Sequence, residues 1–215
     1  KGNQEKIMAL RTGAAMPNIK KSTFQDMKVK INDDLDLQQK IVAELDTIQT
    51  AIDNKQQQLK ELDELVKSRF IEMFGENPVE SGKWKVEILP NLCMIPITDG
   101  THQTPTYTTA EDGVPFISSK DVTSKKINWS NIKYITKDLH EKLYKRIAPQ
   151  KNDILLAKNG TTGVAALVED NRIFDIYVTL AVIRPNLSKI NQNYLLQVIN
   201  SDCCKNQFNK HLVGI

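Results

Sequence analysis

Thr101-His102-Gln103-Thr104 sets an imidazole and a carboxamide between two hydroxyls. Ser118-Ser119-Lys120 puts two hydroxyls beside a cation, and Lys158-Asn159-Gly160-Thr161-Thr162 places a cation, a carboxamide and two hydroxyls on a tight turn. A carboxamide offers a donor and an acceptor side by side, the pattern that matches the edge of a nucleic-acid base, while hydroxyls and ammonium groups hold phosphates. Lys125, Lys126 and Lys133 are further candidate phosphate contacts, and Tyr177 is a candidate for stacking or hydrogen bonding. Taken singly, each loop also reads as a solvated turn, the lysines as a solvated run and Tyr177 as core. Trp84 and Trp129 read as packing residues, and Cys203 and Cys204 as buried or inert thiols.

Catalytic chemistry is poorly represented. Methyl transfer calls for a glycine-rich cofactor loop and an Asn/Asp-Pro-Pro-Tyr turn, and Asn77-Pro78-Val79 is not one. A metal-dependent nuclease needs clustered carboxylates with a lysine after a strand. Asp153-Ile154-Leu155-Leu156-Ala157-Lys158 lacks the second acid. A phosphate-binding Walker loop requires Gly-Lys-Ser/Thr, and Gly160-Thr161-Thr162-Gly163 has no lysine in that place. The three histidines (His102, His140, His211) and three cysteines lack metal-ligand spacing. No catalytic residue, metal or cofactor is expected.

The net charge of +3 is unevenly spread: +2 over 1–38, −2 over 39–74 and +4 over 84–215. A mild basic excess is compatible with nucleic-acid binding without requiring it. No apolar run approaches the roughly 20 residues that cross a bilayer, so no membrane partner is expected. The start of the chain shows no apolar signal segment, and the odd cysteine count argues against a disulfide framework. A cytoplasmic location is the expectation.

The elements that would carry these loops follow from periodicity. Between Gln39 and Phe74, alternating steps of four and three give Ile41, Leu45, Ile48, Ile52, Lys55, Leu59, Leu62, Val66, Arg69 and Met73, eight of them apolar and none Gly or Pro. That is a heptad seam and predicts a coiled-coil helix over 39–75, entered through Asp33-Asp34-Leu35-Asp36 and ended by Gly75 and Asn77-Pro78. The other reading is one amphipathic helix lying on its own domain. Residues 76–83 read as a linker. From Trp84 onward, turn dipeptides separate short β-type runs at Val114–Ile117, Lys133–Ile135, Asp153–Ala157, Val164–Val168 and Tyr177–Ile183. Lys137–Arg146 reads as a short helix. Leu187–Leu212 has a helical pattern whose apolar face is Tyr194, Leu195, Val198 and Ile199. The fold class is α+β: a globular 84–215 domain with a β-sheet and short helices, attached to a long helix. Residues 1–38 read as the end segment of a second such domain, because Lys6–Ala14 weakly echoes Lys205–Ile215, as one cycle of a repeat would.

In order and spacing, these segments resemble the specificity subunit of a Type I DNA restriction–modification system over almost the whole chain. Asp99–Pro105 resembles the loop near the start of that family's target-recognition domain, and Gly113–Val122 the strand and loop that follow. Pro149–Gly163 resembles its GDIL…GT.G hairpin, Leu180–Asn186 the strand before the last helices, and Gln38–Val42 the start of its conserved helix. Asn152 departs from a frequent Gly, and Asn32–Asp36 from a proline-rich helix entry. A second conserved helix is not found, so a fragment, a truncated subunit or a half-size subunit is expected.

The resemblance implies a non-catalytic subunit that reads one half of a bipartite double-stranded DNA target. It implies docking of modification (methyltransferase) subunits on the helix, with restriction subunits outside them. It turns the three loops, with Lys125, Lys126 and Tyr177, into DNA-binding candidates. If the chain acts by itself, two copies would pair antiparallel through Ile41, Leu45, Ile48, Ile52, Leu59, Leu62, Val66 and Met73. The competing reading is a coiled-coil adaptor that binds a protein partner rather than DNA.

Overall fold

The computed structural model describes residues 24–25, 27–76, 78–160 and 162–211. The chain divides into two compact units, 1–61 and 62–215. The expected echo in Lys6–Ala14 lies outside the described residues, as do Thr161 and the last four residues.

Helix α1 runs Leu35–Phe74, 40 residues, or about 60 Å at 1.5 Å per residue. It begins four residues before the predicted seam because Asp34 caps it. The Asp34 carboxylate accepts from the backbone N–H of Asp36 (3.0 Å) and of Leu37 (3.1 Å), which satisfies amides that have no partner in the first turn. The helix ends as predicted: Gly75 takes φ +87° and its N–H donates to Ile71 O at 2.7 Å. None of its residues is buried, and the eight apolar seam positions are between 45% and 65% exposed. The heptad seam is therefore a solvent-facing apolar stripe.

In the 62–215 unit, the last turns of α1 carry Phe70 and Phe74, whose rings meet at a 41° tilt with centroids 4.8 Å apart. Phe74 also meets Trp84 (5.2 Å) and Tyr194 (5.9 Å). Two four-stranded sheets follow. The first has the order β1 (Thr98–Asp99), β8 (Leu180–Ile183), β5 (Ile154–Ala157), β6 (Ala165–Leu167), and its neighbours are all antiparallel. The second has the order β2 (Tyr107–Thr108), β4 (Lys133–Thr136), β3 (Gly113–Ile117), β7 (Asp175–Ile176), with β3 and β7 parallel. Helix α2 is Lys137–Arg146, and α3 (Gln192–Asn200) and α4 (Asp202–Asn209) close the unit.

Alternation along β5 sends Leu155 and Ala157 into one core with Ile117, Val122, Phe174, Leu180 and Val182. Ile154 goes to the other face with Ala165, Ile183, Leu195 and Ile199. With both faces covered, β8 is buried at every position and reads as an unbroken apolar run. Trp129 packs edge-on against Phe174 at 5.4 Å, as its packing role predicts.

Two predicted elements differ from expectation. The run Tyr177–Ile183 is shorter than predicted: β7, which pairs with β3 in one sheet, ends at Ile176, and β8, which pairs with β5 in the other, begins at Leu180. The chain steps between the sheets through a turn in which Leu180 N–H donates to Tyr177 O (2.9 Å). The helical run after Leu187 breaks at Ser201. This residue is extended (φ −70°, ψ 155°), ends α3 and caps α4 by accepting from Cys204 N–H. On α3 only Leu195 and Ile199 of the predicted face are buried, with Asn200, whose carboxamide bonds both backbone groups of Ala165 at 3.0 Å. Asn152 adopts φ +74°, the left-handed region that Gly enters freely and Asn tolerates. Asparagine meets that backbone demand here.

Candidate nucleic-acid interface

The step between the two sheets, Tyr177–Thr179, is where the predicted loops meet. Tyr177 N–H donates to Ile117 O (2.8 Å), just before the 118–120 loop, and Val178 N–H to Thr101 O (3.0 Å). Lys158 N–H donates to Thr179 O (2.8 Å), and Ser119 N–H to the Thr179 hydroxyl (3.0 Å). Three loops far apart in sequence are thereby pinned to one three-residue segment. Gly100 permits the approach: a Cβ there would stand 2.1 Å from Ile176 O. A Cβ on Gly160 (φ +75°) would lie 3.6 Å from Ser119 Oγ, so the 118–120 and 158–162 loops are neighbours.

Within the cluster, some predicted residues build the loops and others face outward. Thr101 is 8% exposed and its hydroxyl accepts from Gln103 N–H (3.2 Å). Ser118 sends its N–H (2.8 Å) and its hydroxyl (3.0 Å) to the buried Asp121 carboxylate, closing a capping box. The Asn159 carbonyl oxygen accepts from Gly160 N–H (2.7 Å), and the Thr162 hydroxyl donates to Lys158 O (3.4 Å). Ser119 is half-buried, as is Tyr177, which sets its ring edge-on to Phe116 at 6.0 Å. His102, Gln103, Thr104, Lys120, Lys158, Asn159 and Gly160 are exposed.

Lys125 and Lys126 do not join this cluster. They line a groove of about 460 Å³ with Trp129 and Arg172. Lys125 (φ +60°) bonds the Asp63 carboxylate of α1 at 2.9 Å, and Arg172 lies over the Trp129 ring at 4.1 Å. Lys133 sits over the Tyr107 ring at 4.0 Å.

Sequence reasoning missed Arg146 and the centre it serves. Asp99 Oδ2 accepts from Lys158 Nζ at 2.6 Å and lies 3.4 Å from His102 Nε2. Its Oδ1 accepts from Arg146 Nη2 at 3.2 Å, and Arg146 Nη1 donates to Gly100 O at 3.2 Å. The Lys158 hydrogen bond holds the Asp99 carboxyl below its ordinary pKa. No local signal links Arg146, the last residue of a short amphipathic helix, to an aspartate far back in the chain. Deeper in, Asp175 is driven above its usual pKa by burial, against the opposing pull of the His140 imidazole at 2.6 Å.

Among the described residues, no group of three or more His, Cys, Asp or Glu is placed to hold a metal ion, and no helix is long and apolar enough to cross a membrane. No protein-family model matches the sequence, and no curated protein matches it. Solved structures do align with the fold. It is similar to that of Type I specificity subunits. One is the HsdS subunit from Thermoanaerobacter tengcongensis, with TM-score 0.48 and 16% identity over 81% of this chain and 41% of that one. A chain solved for complex assembly and conformational transition of the type I R-M system gives 0.46 and 16% over 91% and 48%. The Type-I restriction-modification S subunit from M. genitalium gives 0.43 and 15% over 97% and 52%. The chain spans about half the length of these proteins or less.

Proposed function

We propose that this chain is a DNA-reading portion of a Type I restriction–modification specificity subunit, working in the cytoplasm on one half of a bipartite double-stranded target and doing no chemistry itself. The observation that carries the reading is the convergence of the 101–104, 118–120 and 158–162 loops on Tyr177–Thr179. A reader of base sequence needs paired donors and acceptors at base edges and hydroxyls and cations at phosphates, all on one face. Gln103 is the base-edge candidate, joined by the Asn159 amide NH2, since the Asn159 oxygen already accepts from Gly160 N–H. Thr104, Lys120 and Lys158 are the phosphate candidates, together with Thr161, which lies outside the described residues. Thr101 and Ser118 act by shaping the loops.

Residues 84–215 form the recognition domain, 76–83 the linker and 39–75 the docking helix for modification subunits, through which restriction subunits attach. Residues 1–38 belong to the end of a recognition domain. The exposed seam pairs with an antiparallel equivalent, supplied by a second copy or by a longer form of the chain. An adaptor would share the seam but leaves the loop convergence without a role.

The test is selection from a random duplex pool at low salt, with and without a modification subunit, followed by sequencing. One short enriched motif establishes a single reader, and two inverted motifs at fixed spacing establish the paired helices as well. No enrichment in either condition overturns the reading in favour of the adaptor.

A further inference from the structure

Resting on the reading above, we propose that Arg146 and Lys158 form a clamp for one phosphodiester of the DNA backbone, and that Asp99 occupies the clamp as an internal substitute for that phosphate until DNA displaces it. The geometry is that of a bound anion. Lys158 and Arg146 approach opposite oxygens of the Asp99 carboxylate at 2.6 and 3.2 Å, and His102 stands 3.4 Å from the first of them. A phosphodiester presents the same pair of anionic oxygens on one atom. Two permanent cations against one carboxylate leave the cluster positive, so it still attracts an anion after Asp99 is counted.

Access and position fit as well. The Asp99 side chain is 26% exposed, that of Lys158 39% and that of Arg146 48%, so the cations keep solvent-facing flanks. Lys158 opens the 158–162 loop and Asp99 immediately precedes Gly100 and the 101–104 loop, which puts the clamp between two loops of the candidate reader. Arg146 is also held by Gly100 O, so its guanidinium stays oriented when the carboxylate gives way. Exposed ion pairs of this kind are weak enough to be exchanged for a stronger anion. A phosphate carries no sequence information, so the clamp sets register and affinity, and Asp99 suppresses indiscriminate binding.

A purely structural Asp99 would simply fasten β1 to α2 and to the end of β5, and the two roles predict opposite signs. The test uses the full chain with Asp99→Asn, Arg146→Ala and Lys158→Ala, binding a random-sequence duplex across a salt series, with thermal melting in parallel. Under the proposal D99N binds this duplex more tightly than wild type. Because DNA displaces Asp99 in the wild type as well, the same phosphate is engaged, and D99N keeps the wild-type salt slope. R146A and K158A bind more weakly, each with a salt slope shallower by about one, and the motif recovered by selection is unchanged. The clamp is overturned if D99N weakens binding in step with a lower melting temperature, or if R146A and K158A keep the wild-type slope. A wild type with no salt-dependent affinity for duplex overturns the DNA reading itself, which separates the two failures.

Discussion

Asp153 and Arg184 meet side by side at the end of the first sheet, with Nε to Oδ1 at 2.8 Å and Nη2 to Oδ2 at 2.7 Å. Arg184 Nη2 also donates to Ala148 O (2.7 Å), and Asp153 accepts from Gln150 N–H (3.0 Å). The Asp153 side chain is 1% exposed, so removing its partner strands a charge in the interior. Arg184→Ala is expected to cost about 3–5 kcal/mol, read as a fall in the denaturant midpoint at unchanged slope. Asp175 makes a second prediction at this scale. The folded chain holds its proton more tightly than the unfolded chain, so the stability it contributes is full below the ordinary carboxylate pKa. That contribution is lost as pH rises through the raised folded value. Unfolding free energies of wild type and Asp175→Asn, measured from acid to neutral pH, should therefore shift in favour of the variant as pH rises, and a gap independent of pH would contradict this. The three loops were legible as candidates because hydroxyls, carboxamides and cations recur in them. Whether each group faces outward or is spent on its own loop was not, since Thr101 and Ser118 are committed by bonds that form only once the backbone has turned.

Among the elements, α1 was legible because the heptad rule is local and its two ends carry their own signals in Asp34 and Gly75. The step between β7 and β8 was not. Residues 177–183 read as one β-type run, and only the turn closed by Leu180 N–H on Tyr177 O, between strands paired in different sheets, shortens it to β8. Gly100 reads in sequence as half of a turn dipeptide, whereas its place is fixed by contact with Ile176, far along the chain. The seam of α1 gives this scale its prediction. Ile48 is half exposed, so Ile48→Glu should leave unfolding free energy within about 0.5 kcal/mol of wild type. The same substitution puts a charge into an a/d position of the proposed pair and should abolish self-association in sedimentation or light scattering. Loss of stability without change in assembly would mean the stripe serves the chain's own fold.

At the scale of the whole molecule, the proposal makes α1 a ruler. An uninterrupted, mildly acidic helix of 40 residues leads into a basic domain, so two recognition domains paired through their helices stand at a separation set by helix length. The α+β class and the presence of one long helix were legible because they rest on periodicity, whereas the two compact units divide at 61/62, within the helix. The convergence of loops depends on strand pairing across distant segments and had no local signature. Insertion of one further seven-residue repeat between Asp53 and Asn54 keeps the seam in phase and lengthens the helix by about 10 Å. At 3.4 Å per base pair, the spacing between the two inverted motifs should then grow by about three base pairs. Three base pairs also turn the duplex by about 100°, so the lengthened chain should bind its new target more weakly than the original chain binds its own. The motifs themselves, read by loops the insertion leaves alone, should not change. Selection and sequencing report all three quantities at once, and an unaltered spacing would separate the helix from any measuring role.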